Sequence, residues 1–187
     1  DSDYALHCAK REIKITMECQ SQNVVKIFNC FETKSEIALI LELCDMTLDK
    51  FLEKNGTFQN LYFFQKFLMR LNNALKILYL KKIMHRDIKP ENIFIKIENG
   101  EYIPKLADFG ISRFYNEKRD YRVNYEGDDQ RHTGSIGTYY FIAPEILKSE
   151  PYNYKCDLFS LGVTLYMALF GETPYGILGL GEGRYDK

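Results

Sequence analysis

Three side chains with oxygen donors follow short apolar stretches of this sequence, and their types suit the binding of a hard metal ion. Asp87 and Asn92 lie in His-Arg-Asp-Ile-Lys-Pro-Glu-Asn at 85–92, and Asp108 ends a second apolar run. Loops at the ends of such segments commonly carry the catalytic groups of a fold. Magnesium prefers oxygen ligands and retains several waters, so one carboxylate and one amide oxygen are enough protein ligands. Asn92 and Asp108 are therefore the candidate magnesium ligands.

Two short motifs together carry more information than either one alone. Residues 85–92 match the pattern H-R-D-x-K-P-x-N, and Asp108-Phe109-Gly110 matches D-F-G. Taken singly, each could be an ordinary turn or a solvated loop. In this order, about 20 residues apart and with Lys89 and Asn92 in register, they make coincidence very improbable. On these motifs the chain resembles the protein kinase family.

The resemblance implies a role in phosphoryl transfer for each residue of the two motifs. Asp87 would receive the proton of a substrate hydroxyl, and Lys89 would direct its ammonium group at the transferring phosphate. Asn92 and Asp108 would hold Mg²⁺ on a bound ATP molecule. Phe109 would lie in the core, so that its position reports whether Asp108 faces the metal.

The resemblance also implies a binding site for the adenine ring. Leu41 falls at the gatekeeper position, and the backbone of Glu42 and Cys44 would face the adenine. Phe94 would form the floor beneath the ring, where family members usually carry an aliphatic residue. Glu12 aligns with the helix glutamate that pairs with an upstream lysine, although a solvated surface glutamate is nearly as good an interpretation.

A polar segment from 111 to 136 shows no periodicity, and segments of this length are usually functional or disordered. By resemblance it is the activation segment, with Thr133 and Ser135 as candidate phosphoacceptors. Arg86 resembles the arginine that binds such a phosphate through two parallel hydrogen bonds. Solvated hydroxyls without a regulatory role remain an equal alternative for both residues.

Two further motifs extend the resemblance towards the end of the chain. Residues 137–145 match G-T-x-x-Y-x-A-P-E with Phe141 in place of tyrosine, and 157–162 match D-x-W-S-x-G with Phe159 in place of tryptophan. Thr138, together with Lys89, points to serine/threonine rather than tyrosine specificity. Asp157 is expected to be buried and to accept hydrogen bonds from the backbone of the catalytic loop, which is a structural role.

Periodicity and turn signals predict both helices and strands. The resemblance implies an α+β, two-lobed kinase fold in which both lobes are partial. The small lobe would comprise one helix plus strands, and the large lobe would be mostly helical. Thr47 is the expected N-cap of the second helix. The predicted helices are 5–20, 48–54, 59–80 and an apolar core helix from Leu158 to Phe170; the predicted strands are 24–31, 37–43, 93–97 and 103–107, the last two as a hairpin around Asn99-Gly100.

Composition argues against several kinds of partner and site. A net charge of -1 provides no field for nucleic acid or an anionic membrane. The five cysteines are odd in number and lack paired spacing, so we expect neither a zinc site nor a disulfide framework. A reducing intracellular compartment, most simply the cytoplasm, is the expected location. No apolar segment reaches the ~20 residues that a membrane span needs.

The expected partners are ATP and a protein substrate, and the oligomeric state is left open. The domain is expected to divide into a small-lobe remnant at 1–43 and a large lobe at 44–187. The resemblance lacks the Gly-rich loop, the ATP-orienting lysine and the last large-lobe helices, so the sequence is expected to be a fragment that is inactive alone. A pseudokinase or scaffold module without catalysis is the alternative function.

Overall fold

A computed structural model describes residues 2–33, 36–115 and 136–175 of the 187-residue chain. Thr133 and Ser135, the candidate phosphoacceptors, lie outside the described residues. None of the helices in the described ranges is both long enough and apolar enough to cross a bilayer.

The described residues form an α+β structure, as predicted. Five α-helices and seven strands are present in these ranges, with short 3-10 helices at Pro90–Asn92 and Ile136–Phe141. The helices are α1 (Ser2–Glu18), α2 (Leu48–Asn55), α3 (Leu61–Leu80), α4 (Pro144–Leu147) and α5 (Lys155–Phe170). The strands are β1 (Ile27–Glu32), β2 (Ile37–Leu41), β3 (Met46–Thr47), β4 (Ile83–Met84), β5 (Ile93–Glu98), β6 (Glu101–Leu106) and β7 (Arg113–Phe114).

Three small antiparallel sheets connect these strands. β1 pairs with β2, β4 pairs with β7, and β5 lies between β3 and β6. The predicted hairpin around Asn99-Gly100 is β5–β6, and each strand is one or two residues offset from its predicted bounds. Asn99 and Gly100 both have positive φ, 52° and 76°, as a two-residue turn with the twist of its strands requires.

Helix α3 begins two residues later than predicted, because Asn60 caps it. The Asn60 side chain accepts hydrogen bonds from the amides of Tyr62 at 2.9 Å and Phe63 at 3.3 Å. These bonds satisfy two amides that a helix start would otherwise leave without a partner. Thr47 does precede α2 in extended conformation, as predicted, but its side chain makes no capping hydrogen bond.

The sequence predicts one inward face for α3, and this prediction is partly wrong. That face comprises Leu61, Phe64, Leu68, Leu71, Leu75 and Leu78. Leu71, Leu75 and Leu78 are buried, but Leu61 is 71% exposed, whereas Phe67 is fully buried. Phe67 packs against the ring of Phe58 in a tilted arrangement, with ring centroids 5.1 Å apart. Because a buried aromatic group draws the helix towards it, the inward stripe is rotated from the one that the leucines predict.

The larger of two apolar clusters in the described residues forms the main core, and α5 contributes one side of it. The predicted core helix is therefore only half correct: Leu161, Val163 and Ala168 are buried, while Leu158 is 49% and Phe170 62% exposed in the described part of the chain. The core joins α1, α3, α5 and the β5–β6 hairpin, with the fully buried members Ile15, Val24, Leu48, Phe67, Ile93, Ile95, Phe109 and Ala168.

Candidate active site

Asp157, at the start of α5, fixes the backbone of the catalytic loop. Its two carboxylate oxygens accept hydrogen bonds from the amides of His85 and Arg86, each at 2.8 Å. Asp157 is 3% exposed, and burial raises the pKa of its carboxyl against the opposing effect of His85 and the two amides. The predicted structural role of Asp157 is confirmed by these bonds. Arg86 has a φ of 71°, a strained conformation that the bonds help to maintain.

The loop brings Asp87, Lys89 and Asn92 together around one carboxylate. The Lys89 ammonium lies 3.0 Å from Asp87 Oδ2, and Asn92 Nδ2 donates to the same oxygen at 2.8 Å. Asn92 Nδ2 also donates to the Asp87 carbonyl at 2.8 Å. Both amide hydrogens of Asn92 are therefore used, which leaves its Oδ1 for a cation. With Oδ2 of Asp87 occupied, Oδ1 is the oxygen left to approach a substrate hydroxyl.

His85 connects this loop to the segment that carries Asp108. Its Nε2 donates to the Ala107 carbonyl at 3.0 Å, and its Nδ1 accepts the amide of Asp87 at 3.3 Å. The imidazole is completely buried and lies 4.8 Å from the ring of Phe109, which is itself fully buried. Phe109 therefore lies in the core, as predicted.

Asp108 faces away from that core. Its backbone is left-handed, with φ of 62°, and its exposed carboxylate accepts the amide of Gly110 at 3.2 Å through Oδ1 only. The amide of Ala107 donates to the carbonyl of Asn92 at 2.9 Å, so the two candidate magnesium ligands extend from directly bonded segments. Within the described ranges no three His, Cys, Asp or Glu side chains could hold a metal ion as a group. Asn92 Oδ1 and the Asp108 carboxylate fit Mg²⁺ as two of its ligands. Phosphate and water oxygens would complete the coordination shell, as is common for magnesium.

Glu12 of α1 lies beside Asp108. Its Oε2 is 3.7 Å and Asp108 Oδ1 is 3.1 Å from the position that a Cβ on Gly110 would occupy. Burial, followed by the negative charge of Asp108, raises the pKa of Glu12. Two carboxylates in this arrangement repel one another unless a cation is between or beside them. The suggested surface glutamate is thus an interpretation that the structure contradicts.

Arg86 is bound by protein groups in this structure. Its Nε donates to the Ile111 carbonyl at 2.8 Å, its Nη2 contacts the same carbonyl, and its Nη1 donates to the Tyr152 hydroxyl at 3.0 Å. The side chain is therefore already directed to the start of the segment that follows Gly110. Binding of a phosphate by Arg86 remains a prediction.

The residues predicted to surround adenine offer backbone polar groups and apolar side chains. The Glu42 amide donates to the Lys26 carbonyl at 2.9 Å, while no hydrogen bond among the described residues uses the Glu42 carbonyl or the Cys44 amide. Leu41 is 44% exposed. Phe94 is half-buried on β5 and pairs with Thr47 on one side and Lys105 on the other. Backbone groups and an aromatic surface are thus available at this edge.

Comparison with known protein sequences identifies the family of this chain. A family model described as "Protein kinase domain" matches residues 2–179. The chain belongs to the protein kinase family. It is 35% identical over 187 residues to calcium-dependent protein kinase 3 of Plasmodium yoelii yoelii, covering 95% of this chain and 32% of that protein.

Further kinase relatives show the same partial coverage. Calcium-dependent protein kinase 5 of Plasmodium falciparum (isolate 3D7) is 36% identical over 170 residues, which cover 89% of this chain and 27% of the relative. CDPK-related kinase 4 of Arabidopsis thaliana is 29% identical over 177 residues, which cover 93% of this chain and 28% of the relative. The chain therefore spans about a third or less of the length of these relatives.

Two residues at this kinase site were missed from the sequence. Tyr152, which binds Arg86, had no distinguishing pattern. Lys105 and its partner Glu42 did carry one: each is a charged residue inside an apolar run that the sequence predicts to be a strand. Opposite charges in two buried strands rarely stay unpaired, so an ion pair was predictable in kind.

The neutral state of His85 predicts a loss of stability in acid. Burial, which outweighs the nearby carboxylates, lowers the pKa of His85. The unfolded chain takes up a proton near pH 6.5 and the folded chain does so only at lower pH, so this contribution is complete above about pH 6.5 and is lost as the pH falls. Urea unfolding of the chain at pH 7.5, 6.5 and 5.5 should show a slope of at most about 1.4 kcal/mol per pH unit from this group. His85→Gln should flatten that slope, and equal slopes in both proteins would contradict the prediction.

Proposed function

We propose that this chain belongs to the catalytic domain of a protein kinase that transfers the γ-phosphate of ATP to serine or threonine hydroxyls of proteins. The observation that carries the proposal is the shared oxygen of Asp87, which Lys89 and Asn92 approach at 3.0 and 2.8 Å. Phosphoryl transfer depends on positioning and on charge neutralisation more than on covalent chemistry. A carboxylate with one occupied and one open oxygen is suited to orient a hydroxyl.

Each residue would then contribute one task. Asp87 Oδ1 would accept the hydrogen bond, and later the proton, of the attacking hydroxyl. Lys89 would place its charge between Asp87 and the phosphate. Asn92 Oδ1 and the exposed carboxylate of Asp108 would hold Mg²⁺, which neutralises phosphate charge when bound. The Glu42 carbonyl and Cys44 amide would bond the adenine over Phe94.

The substrate class rests on sequence matches. Lys89 in the catalytic loop and Thr138 after the activation segment are the residues of serine/threonine kinases by resemblance. Two of the relatives described above are calcium-dependent protein kinases. Calcium dependence is stated in the names of those relatives, and this chain covers only about a third of their length. We propose the division of the domain at residues 43 and 44 on the same resemblance.

We also propose an intracellular, cytoplasmic location. Cys19, Cys30, Cys44 and Cys156 are free thiols in the described ranges, and ATP is an intracellular substrate. Free thiols persist where glutathione and thioredoxin keep them reduced.

The deciding experiment is a transfer assay on the full-length gene product. With γ-labelled ATP, Mg²⁺ and a mixture of serine, threonine and tyrosine peptides, we expect label on serine and threonine that chelation of the metal abolishes. Label on tyrosine alone would overturn the substrate class. Tight nucleotide binding without any transfer would instead favour the non-catalytic scaffold.

A further inference from the structure

We infer that Glu42 and Lys105 form a positioning pair for a bound nucleotide. The pair would fix the hinge, which is the segment 42–44 proposed to face adenine, relative to Asp108. This inference rests on the proposed function and adds to it the side chains of Glu42 and Lys105. Neither side chain would touch the reacting atoms. Both would act through the backbone to which they are attached.

The pair is almost entirely buried and has close geometry. Lys105 Nζ lies 2.9 Å from Glu42 Oε1, and the two residues are 5% and 8% exposed. Lys105 Nζ also donates to the carbonyl of Gln22 at 3.0 Å. The lysine thus joins the hinge to the turn that follows α1, and it does so from a third segment, β6.

A second lysine and a backbone amide also bind the carboxylate of Glu42. Lys96 Nζ lies 3.2 Å from Glu42 Oε1, and the amide of Lys26 donates to Glu42 Oε2 at 3.4 Å. These donors outweigh the burial that would otherwise favour protonation, so the pKa of Glu42 lies below its ordinary value. The carboxylate is therefore charged and held from several directions.

The backbone segments that carry the two residues lead to opposite ends of the proposed nucleotide site. Glu42 provides the carbonyl proposed to face adenine, and its own amide is bonded to Lys26. Lys105 lies three residues before Asp108 on the strand that leads to it, and directly opposite Phe94, the proposed floor under the ring. One ion pair therefore links the adenine end of the site to its metal end.

The energetics favour a positioning role over a role in stability. Burying two charges costs several kcal/mol per ion before their attraction is counted, so such a pair often adds little net stability. The ion pair does favour a single geometry, because displacing either side chain would leave the other charge buried without its hydrogen-bond partner. A hinge held in this way is preorganised for its ligand, and preorganisation lowers the cost of binding.

Lys105→Met in the full-length gene product tests the pair. Glu42 would keep only Lys96 as a cation and shift towards it, which moves the backbone that faces adenine. We expect the KM for ATP to rise by ~10- to 100-fold, the range that misplacement of a positioned group can cost, while kcat changes less than about threefold. Direct titration with ATP should show the same loss of affinity without any need for turnover.

A matched control and a second variant keep the result interpretable. Lys66 also pairs with a glutamate of β6, at 2.6 Å from Glu101 Oε1, but lies away from the hinge, so Lys66→Met should leave the KM unchanged. The double variant Glu42→Gln with Lys105→Met buries no charge, so it should fold and retain the raised KM.

The outcomes separate this inference from the proposed function. A wild-type KM in either the Lys105→Met or the double variant, or a rise in activity, would overturn the positioning role. A wild-type protein that binds ATP without transferring phosphate would reject the proposed function, and the titrations would still decide on the pair. A wild-type protein that binds no nucleotide would overturn both.

Discussion

Replacing Asp87 with alanine should lower kcat of the full-length gene product by ~10²–10⁴-fold, with a far smaller change in the KM for ATP. Asp87 contacts Lys89 and Asn92 through one oxygen, and in the proposed function it would present the other oxygen to the substrate. Alanine removes the proton acceptor and frees both partners. Because the proposed adenine contacts are backbone groups of residues 42–44, nucleotide binding should largely survive.

Steady-state kinetics with varied ATP and peptide would measure this prediction. Asp87→Asn is a sharper probe, since it retains the shape and removes the charge, and it should lose nearly as much kcat. Glu150→Ala, on an exposed residue after α4, serves as the surface control and should retain full activity. A kcat within threefold of wild type in Asp87→Ala would reject Asp87 as the catalytic carboxylate.

The second large effect is expected at Asp157, outside the reacting atoms. Asp157→Ala leaves the amides of His85 and Arg86 buried without acceptors, each costing about 1–3 kcal/mol. Removal of a buried carboxylate offsets part of that cost, because burial already raises the pKa of Asp157. We therefore expect a net loss of about 2–4 kcal/mol in the free energy of unfolding.

Denaturant unfolding monitored by circular dichroism would give that free energy, and Asp157→Asn, which retains one acceptor, should fall between alanine and wild type. Activity should fall as well, since the loop that carries Asp87 loses its anchor. An unfolding free energy equal to that of wild type in Asp157→Ala would show that the two amides find other acceptors.

Much of this site could be predicted because its chemistry is local in sequence. Asp87, Lys89 and Asn92 lie within six residues, so their spacing already determines that they can meet once the loop is anchored. The anchor Asp157 lies 72 residues away from His85, and it was predictable only through the family motif around it. The presence of both helices and strands followed from periodicity, which needs no long-range information.

The remaining features depend on contacts that a linear pattern does not contain. The α3 stripe turned towards Phe67 because an aromatic group elsewhere in the core occupies that side. Tyr152 binds Arg86 across 66 residues without any pattern that singles it out. The resemblance assigns a role only to the backbone of Glu42. The packing of three segments brings its side chain into ion pairs with Lys96 and Lys105.

The left-handed backbone at Asp108 and Arg86 has a consequence for engineering. Both residues occupy a conformation that glycine adopts at no steric cost, and a side chain there stores about 1–3 kcal/mol of strain. If Asp108 holds Mg²⁺ as proposed, thermal stability and phosphate transfer would favour different residues at position 108, because the backbone there would be less strained with glycine. Selection for thermal robustness alone, without a test for turnover, would be expected to erode this position early.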